Sequence, residues 1–229
     1  MLLQELIIAN QNFLGKRFSD IDSETTRRLL ESKVILDYAK DQESLRHNAA
    51  IYKGTFFVLL YGALEYTVTA SVQRCISKLN ERGVDVSAIK PTLYSLVFNN
   101  ECNSLADSKD KKWTKRYELF SKLNESQICH IDEHLFPTST GNIKYQQMES
   151  IWKTFGISAN VVNTNRVIGR LDTLADNRNK IAHGRELPSS IGSAFTISEI
   201  EDFYNLISSY CSYILSVFHG YLKAEEFMN

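Results

Sequence analysis

The stretch "GTFFVLLYGALEYTVTASVQ", residues 54 to 73, decides how the chain folds. It is long enough to cross a bilayer, and Glu65 is its only charged residue. Glu65 stands near its middle, however, and threonine, serine and glutamine dilute its C-terminal half. Those residues fit a buried core helix better than a lipid-facing one. The stretch therefore predicts the central helix of an all-α protein, running from about Gln42 to Glu81 and ending at Arg82-Gly83.

The rest of the chain agrees with a helical reading. Three Pro and ten Gly in 229 residues leave little material for the turns of an all-β fold. Upstream, "DSETTRRLLESKVILDYAKD" (22–41) opens with an Asp/Ser cap signal and spaces Leu29, Leu30, Val34, Ile35 and Tyr38 helically. Together the two segments read as the first hairpin of a bundle.

Downstream, residues 84 to 141 are irregular, with Pro91, "FNNECNS", the charge-dense "SKDKKWTKR" and the loop-like "FPTSTGN". They read as a helical insertion between two parts of a bundle core, about 22–83 and 142–222, within a single domain spanning 1–229. After Gly141 the pattern returns. "NIKYQQMESIWKTFGIS" places Ile143, Met148, Ile151, Trp152 and Phe155 near one face. "NTNRVIGRLDTLADNRNKIAHG" carries Val167, Ile168, Leu171, Leu174 and Ile181, and stops at Gly184. Thr196 and Glu199 have capping-box spacing before a last helix with Ile200, Phe203, Ile207, Tyr210, Ile214 and Val217.

A net charge of −1 rules out a bulk polycation, so any nucleic-acid contact must be a local patch. The four cysteines (Cys75, Cys102, Cys129, Cys211) form no C-x-x-C pair, which fits a reducing cytoplasm better than a zinc knuckle or disulfide framework. The N-terminus lacks the basic region and cleavage site of a signal peptide. Cytoplasmic location, with no membrane contact, is the expectation.

Chemistry concentrates in "DNRNKIAHGR", residues 176 to 185. On a helix, Asn179 and His183 share a face and Arg178 lies beside them. A guanidinium can hold a phosphate oxygen while an imidazole moves the proton of a ribose 2′-OH or of the leaving oxygen. Spacing alone is weak: with eleven arginines and five histidines, chance yields roughly 0.7 such pairs. A surface Arg and a helix-capping His is the plain alternative. Glu65, in so apolar a helix, must be paired, hydrogen-bonded, protonated or at an edge. It either orients Arg178 or faces solvent.

Two further segments carry candidate chemistry. "KDKKWTKR" (109–116) joins five cations to Trp113, and Lys112, Trp113 and Arg116 can track and stack on RNA. The alternative there is a solvated helix face with one buried Trp. "HIDEH" (130–134) matches H-x-x-E-H, in which His130 and His134 on a helix would hold zinc with Glu133 as base. Its loop-like surroundings favour exposed polar residues, and no metal or other cofactor is expected.

Arg-Asn-x3-His at a helix end resembles the signature of HEPN domains (higher eukaryotes and prokaryotes nucleotide-binding). "FFVLLYGALEYTVTASVQ", with its embedded acidic residue, resembles the family's early core helix. "GNIKYQQMESIWKTFGIS" and "SIGSAFTISEIEDFYNLISSYCSYIL" resemble segments flanking the motif in HEPN-like nucleases, so the likeness runs from about residue 40 to 222. It implies a HEPN-like all-α bundle of antiparallel helices acting as a metal-independent endoribonuclease, often in toxin–antitoxin or antiviral defence systems. It also implies a homodimer whose two motifs share one cleft. Arg178, Asn179 and His183 would be catalytic, Glu65 and Asp176 supporting, and Lys180 and Arg185 would join the RNA contacts. Relatives silenced by a nucleotidyltransferase carry Tyr two residues after the His. Here Arg185 stands there, so that regulation is not implied and any antitoxin partner is unidentified. One His per chain gives a separate motive for pairing, because 2′,3′-cyclic phosphate chemistry works best with two proton-transfer groups. A non-catalytic HEPN-type module binding RNA or protein is the alternative.

Overall fold

The computed structural model describes residues 2–123, 125–138 and 141–229, with side chains from Phe18 onward. Nine α-helices are present among the described residues, and no strand is; two isolated bridges pair Asp85 with Ile128 and Ile89 with Met228. The all-α reading holds.

The stretch that decides the fold lies in α2 (Arg46–Arg82), which ends at Gly83. By length and composition α2 can cross a membrane. Its apolar side is instead buried in the bundle: Phe56, Phe57, Leu60, Tyr61, Leu64, Val68 and Val72 are nearly inaccessible. Around it pack α1 (Leu2–Asp41), α7 (Arg166–Ala182), α8 (Pro188–Ser193) and α9 (Ile197–Lys223).

The expected start at Asp22 is corrected, because α1 runs through it. Its buried face is also different from the one expected. Phe18, Ile21, Thr25, Leu29, Ser32, Leu36 and Ala39 point inward, while Leu30, Val34 and Tyr38 are more than half exposed. Hydrophobicity misleads here because small polar residues sit in the helix contact. The Thr25 hydroxyl lies 3.1 Å from that of Thr67, and Ser32 donates to the Leu29 carbonyl at 2.7 Å. Both polar groups are satisfied, so their burial costs little.

Between α2 and α6 (Tyr145–Phe155) lie two 3₁₀ turns (Val86–Ala88 and Pro91–Leu93), α3 (Tyr94–Val97), α4 (Asn99–Asp107) and α5 (Lys112–Lys122). This segment sends Val86, Ile89, Leu93, Phe98, Cys129 and Ile131 into the same core. The expected α6 face is confirmed, with Met148, Ile151, Trp152 and Phe155 buried. So is the α9 capping box, in which Thr196 and Glu199 each accept the other's backbone N–H.

Two glycines bring α8 onto α2. A Cβ at Gly54 would lie 2.0 Å from the Pro188 carbonyl oxygen, and one at Gly192 would lie 1.9 Å from that of Ala50. Backbone meets backbone at this crossing. It fixes the exit path of the chain just after α7.

Candidate active site

The site is built at the C-terminal end of α7. Val167, Leu171, Leu174 and Ala175 face the core, and Arg178 continues that face. Its Cζ lies 3.8 Å from the centroid of the Tyr61 ring, and its Nη2 donates to Glu65 Oε1 at 3.2 Å. Tyr61 and Glu65 are one turn apart on α2, so one helix supplies both a platform and a counter-charge. Tyr61 is itself held, accepting the Ile143 N–H at 2.8 Å, and burial pushes its phenol upward in pKa. Glu65 is thus paired with Arg178, as the first of the two alternatives left by the sequence expects. Its side chain remains 43% exposed, so it also meets solvent.

His183 occupies the C-cap and is exposed. Gly184 follows at φ 64°, a conformation that suits glycine. The Gly184 N–H then donates to Ile181 and the Arg185 N–H to Lys180, the paired bonds of a Schellman stop. His183 lies five positions after Arg178, which on a helix is a turn of about 140°. The cation therefore points into the fold while the imidazole points out of it. Asn179 and His183 do lie on one side, and the His183 N–H donates to the Asn179 carbonyl at 3.0 Å.

Three consecutive residues hold buried polar atoms with no hydrogen-bond partner among the described residues: Asn177 Nδ2, Arg178 Nε and Asn179 Oδ1. Such groups are uncommon in folded proteins and each carries a desolvation cost. Asn177, 8% exposed, is a residue that reading for the Arg–His pair missed. The polar run "DNRN" within an amphipathic helix was its available signal. Tyr61 was missed for a different reason: an aromatic in an apolar stretch reads as core.

The other expected residues are scattered. Asp176 is exposed and pairs with Lys144 at 2.6 Å, across to the start of α6, rather than with Arg178. Lys180 pairs with Glu186 at 2.8 Å, and Arg185 is exposed beside it. Lys112, Trp113 and Arg116 sit apart on α5, whose main neighbour is α4. Trp113 is 79% exposed, which corrects the buried-Trp alternative, and the Arg116 guanidinium lies 4.9 Å over its ring. "HIDEH" is not helical, so the one-turn spacing that zinc ligation through His130 and His134 requires is missing.

No curated protein and no solved structure matches the chain. One family model does, that of RiboL-PSP-HEPN, over residues 23–219. The match reaches beyond the segments that carried the resemblance and takes in α1 from Ser23 onward, the central α2 and the whole Arg178–His183 motif. The chain belongs to the RiboL-PSP-HEPN family, and its motif stands on the helix end where the bundle leaves an imidazole exposed.

Proposed function

We propose that this single-domain protein is a metal-independent endoribonuclease. A base takes the ribose 2′-OH proton, O2′ attacks phosphorus, and the P–O5′ bond breaks. The leaving O5′ takes a proton, giving a 2′,3′-cyclic phosphate and a 5′-OH end. His183 is the general acid or base, and Arg178 the clamp on the phosphate. Asn179 and Glu65 orient the pair. Two copies supply two imidazoles to one cleft, and a toxin–antitoxin or antiviral setting, in the cytoplasm, accounts for the need to control such an activity.

The observation that carries this reading is the contrast around one helix end. Arg178 is preorganised by Tyr61 and Glu65, beside polar atoms without partners among the described residues, while His183 remains exposed. Preorganised charge and an accessible proton carrier, brought together from two copies, are what phosphoryl transfer to an internal hydroxyl requires. Family membership supports an RNase or RNA-binding role.

Purified protein incubated with mixed RNA in excess EDTA should cut it and leave 5′-hydroxyl ends. His183→Ala should abolish cutting while the thermal midpoint is unchanged, since His183 is exposed. Cutting that survives the substitution overturns the catalytic assignment. Binding without cutting favours the second reading, a non-catalytic RNA-binding module. That reading is supported by Trp113 and Tyr117, 79% and 75% exposed one turn apart on α5 among lysines and Arg116.

A further inference from the structure

A groove of about 550 Å³ runs along the outer side of α2, between Arg28 of α1 and Phe136, Gly141 and Ile143. Its walls include Arg28, Gly62, Glu65, Tyr66, Gln73 and Phe136. The volume lies in the roughly 300–1,000 Å³ range of small-ligand sites. Glu65 belongs to both this groove and the Arg178 ion pair, and Ile143, another wall, is bonded to Tyr61 beneath Arg178. The groove therefore shares Glu65 with the Arg178 ion pair.

Gly62 gives a second observation. It lies inside α2, where glycine costs about 1 kcal/mol relative to alanine. No positive φ requires it, and a Cβ there would meet nothing within 4 Å among the described residues. Gly169 and Gly220 are open in the same way, so what distinguishes Gly62 is its place on the floor of a groove that Glu65 also lines. Gly62 and Glu65 line the groove together. Aromatic walls stand beside it: Tyr66, with the Arg28 guanidinium 4.5 Å over its ring, and Phe136.

We propose that this groove takes one unpaired nucleobase of the RNA, next to the phosphate held by Arg178, and that it selects guanine. The inference rests on the RNA-handling role proposed above. A base inserted over Gly62 has Tyr66 and Phe136 beside it, and aromatic side chains are the usual partners of unpaired RNA bases. Its edge meets Glu65, which is partly exposed and has acceptor capacity beyond its bond to Arg178. Guanine presents N1–H and the N2 amino group side by side, so it can give a carboxylate two parallel charge-assisted bonds. Adenine and cytosine place an acceptor beside their amino group. Uracil flanks its single N–H with carbonyls.

The test uses full-length His183→Ala protein and labelled oligouridylates carrying one central G, A or C, with binding read by fluorescence anisotropy. The G-containing strand should bind roughly tenfold more tightly than the others. Glu65→Gln should erase that preference, and Gly62→Leu, whose Cβ meets nothing within 4 Å among the described residues, should weaken binding of the G strand. Equal binding of all strands, a preference that survives Glu65→Gln, or unchanged binding in Gly62→Leu overturns the proposal. So does a shift of oligomeric state in Gly62→Leu by light scattering, which would assign the space to a second copy. Mapping wild-type cleavage ends separates the two readings. Cuts with no guanine at a fixed position overturn the groove alone, whereas guanine-selective binding with no cutting overturns only the nuclease.

Discussion

Arg178 rests its guanidinium 3.8 Å above the ring of Tyr61, whose own hydroxyl oxygen is taken by the Ile143 N–H. Ring and hydroxyl do separate jobs. Tyr61→Phe keeps the platform and strands a buried N–H, so it should cost about 1–3 kcal/mol of stability in urea unfolding. RNA cleavage by the folded variant should be nearly unchanged. Tyr61→Leu removes the platform as well and should lower single-turnover cleavage about tenfold or more. Equal cleavage by both variants would show that the ring does not position Arg178.

The Arg178–Glu65 pair should contribute more to orientation than to stability. Glu65 is 43% exposed, and ion pairs with that much solvent access contribute about 0–1 kcal/mol. A double-mutant cycle of Arg178→Ala and Glu65→Ala should give a coupling of that size in unfolding free energy. Arg178→Lys, which cannot stack flat on Tyr61 or chelate a phosphate, should fold normally and cut poorly.

Much of this arrangement was legible in the sequence, for reasons that also explain the exceptions. Periodicity located α2, α6, α7 and α9 because each buries large aliphatic residues at helical spacing. It failed on α1, where Thr25 and Ser32 occupy the buried face and Leu30, Val34 and Tyr38 do not. Shape, not hydrophobicity, decided that contact. The Glu65–Arg178 pair could be anticipated because a carboxylate in an apolar helix needs a partner. The exposure of Trp113 could not, since composition does not tell which face of an amphipathic helix the rest of the chain covers.

The glycines at the α2–α8 crossing should be intolerant of change. Gly54→Ala or Gly192→Ala drives a methyl against backbone oxygen, with no flexible side chain to give way. Each should cost about 1–3 kcal/mol, lowering the thermal midpoint by several degrees. Gly169→Ala, on α7 with open space above it, should instead stabilise by about 0.5–1 kcal/mol. Calorimetry on the three variants checks the contrast.

Asp85 should make stability depend on acidity. Hydrogen bonds from the Ser87 hydroxyl, the Ser126 hydroxyl and the Ser87 N–H hold its carboxyl down to about 2, below its ordinary 3.8. A carboxylate with a lowered folded pKa stabilises fully above its unfolded pKa and loses that contribution as pH falls through the folded one. The stability gap between wild type and Asp85→Asn should therefore be constant from neutral pH to about 4, then close towards pH 2. Urea midpoints at stepped pH measure it, and a gap that widens on acidification would contradict the bonding seen.

The opposite aims of Arg178 and His183 make a prediction about partnership. Within one chain the cation is turned onto Tyr61 and Glu65 while the imidazole stands exposed about 140° around the helix. If His183 of one copy works on the phosphate held by Arg178 of the other, two dead variants can rescue each other. A mixed dimer of Arg178→Ala with His183→Ala holds one combination in which both residues are intact, contributed by different chains. After unfolding and refolding the variants together, random pairing should make roughly half of the dimers mixed. RNA cleavage should then return from zero to a readily measured fraction of wild type. Each variant refolded alone should stay inactive. Mixed dimers that form, as shown by differently tagged chains co-purifying, but cut nothing would overturn the pairing of one chain's His183 with the other's Arg178. Either both imidazoles of the cleft would then be required, or the imidazole would have to swing towards Arg178 of its own chain when RNA binds.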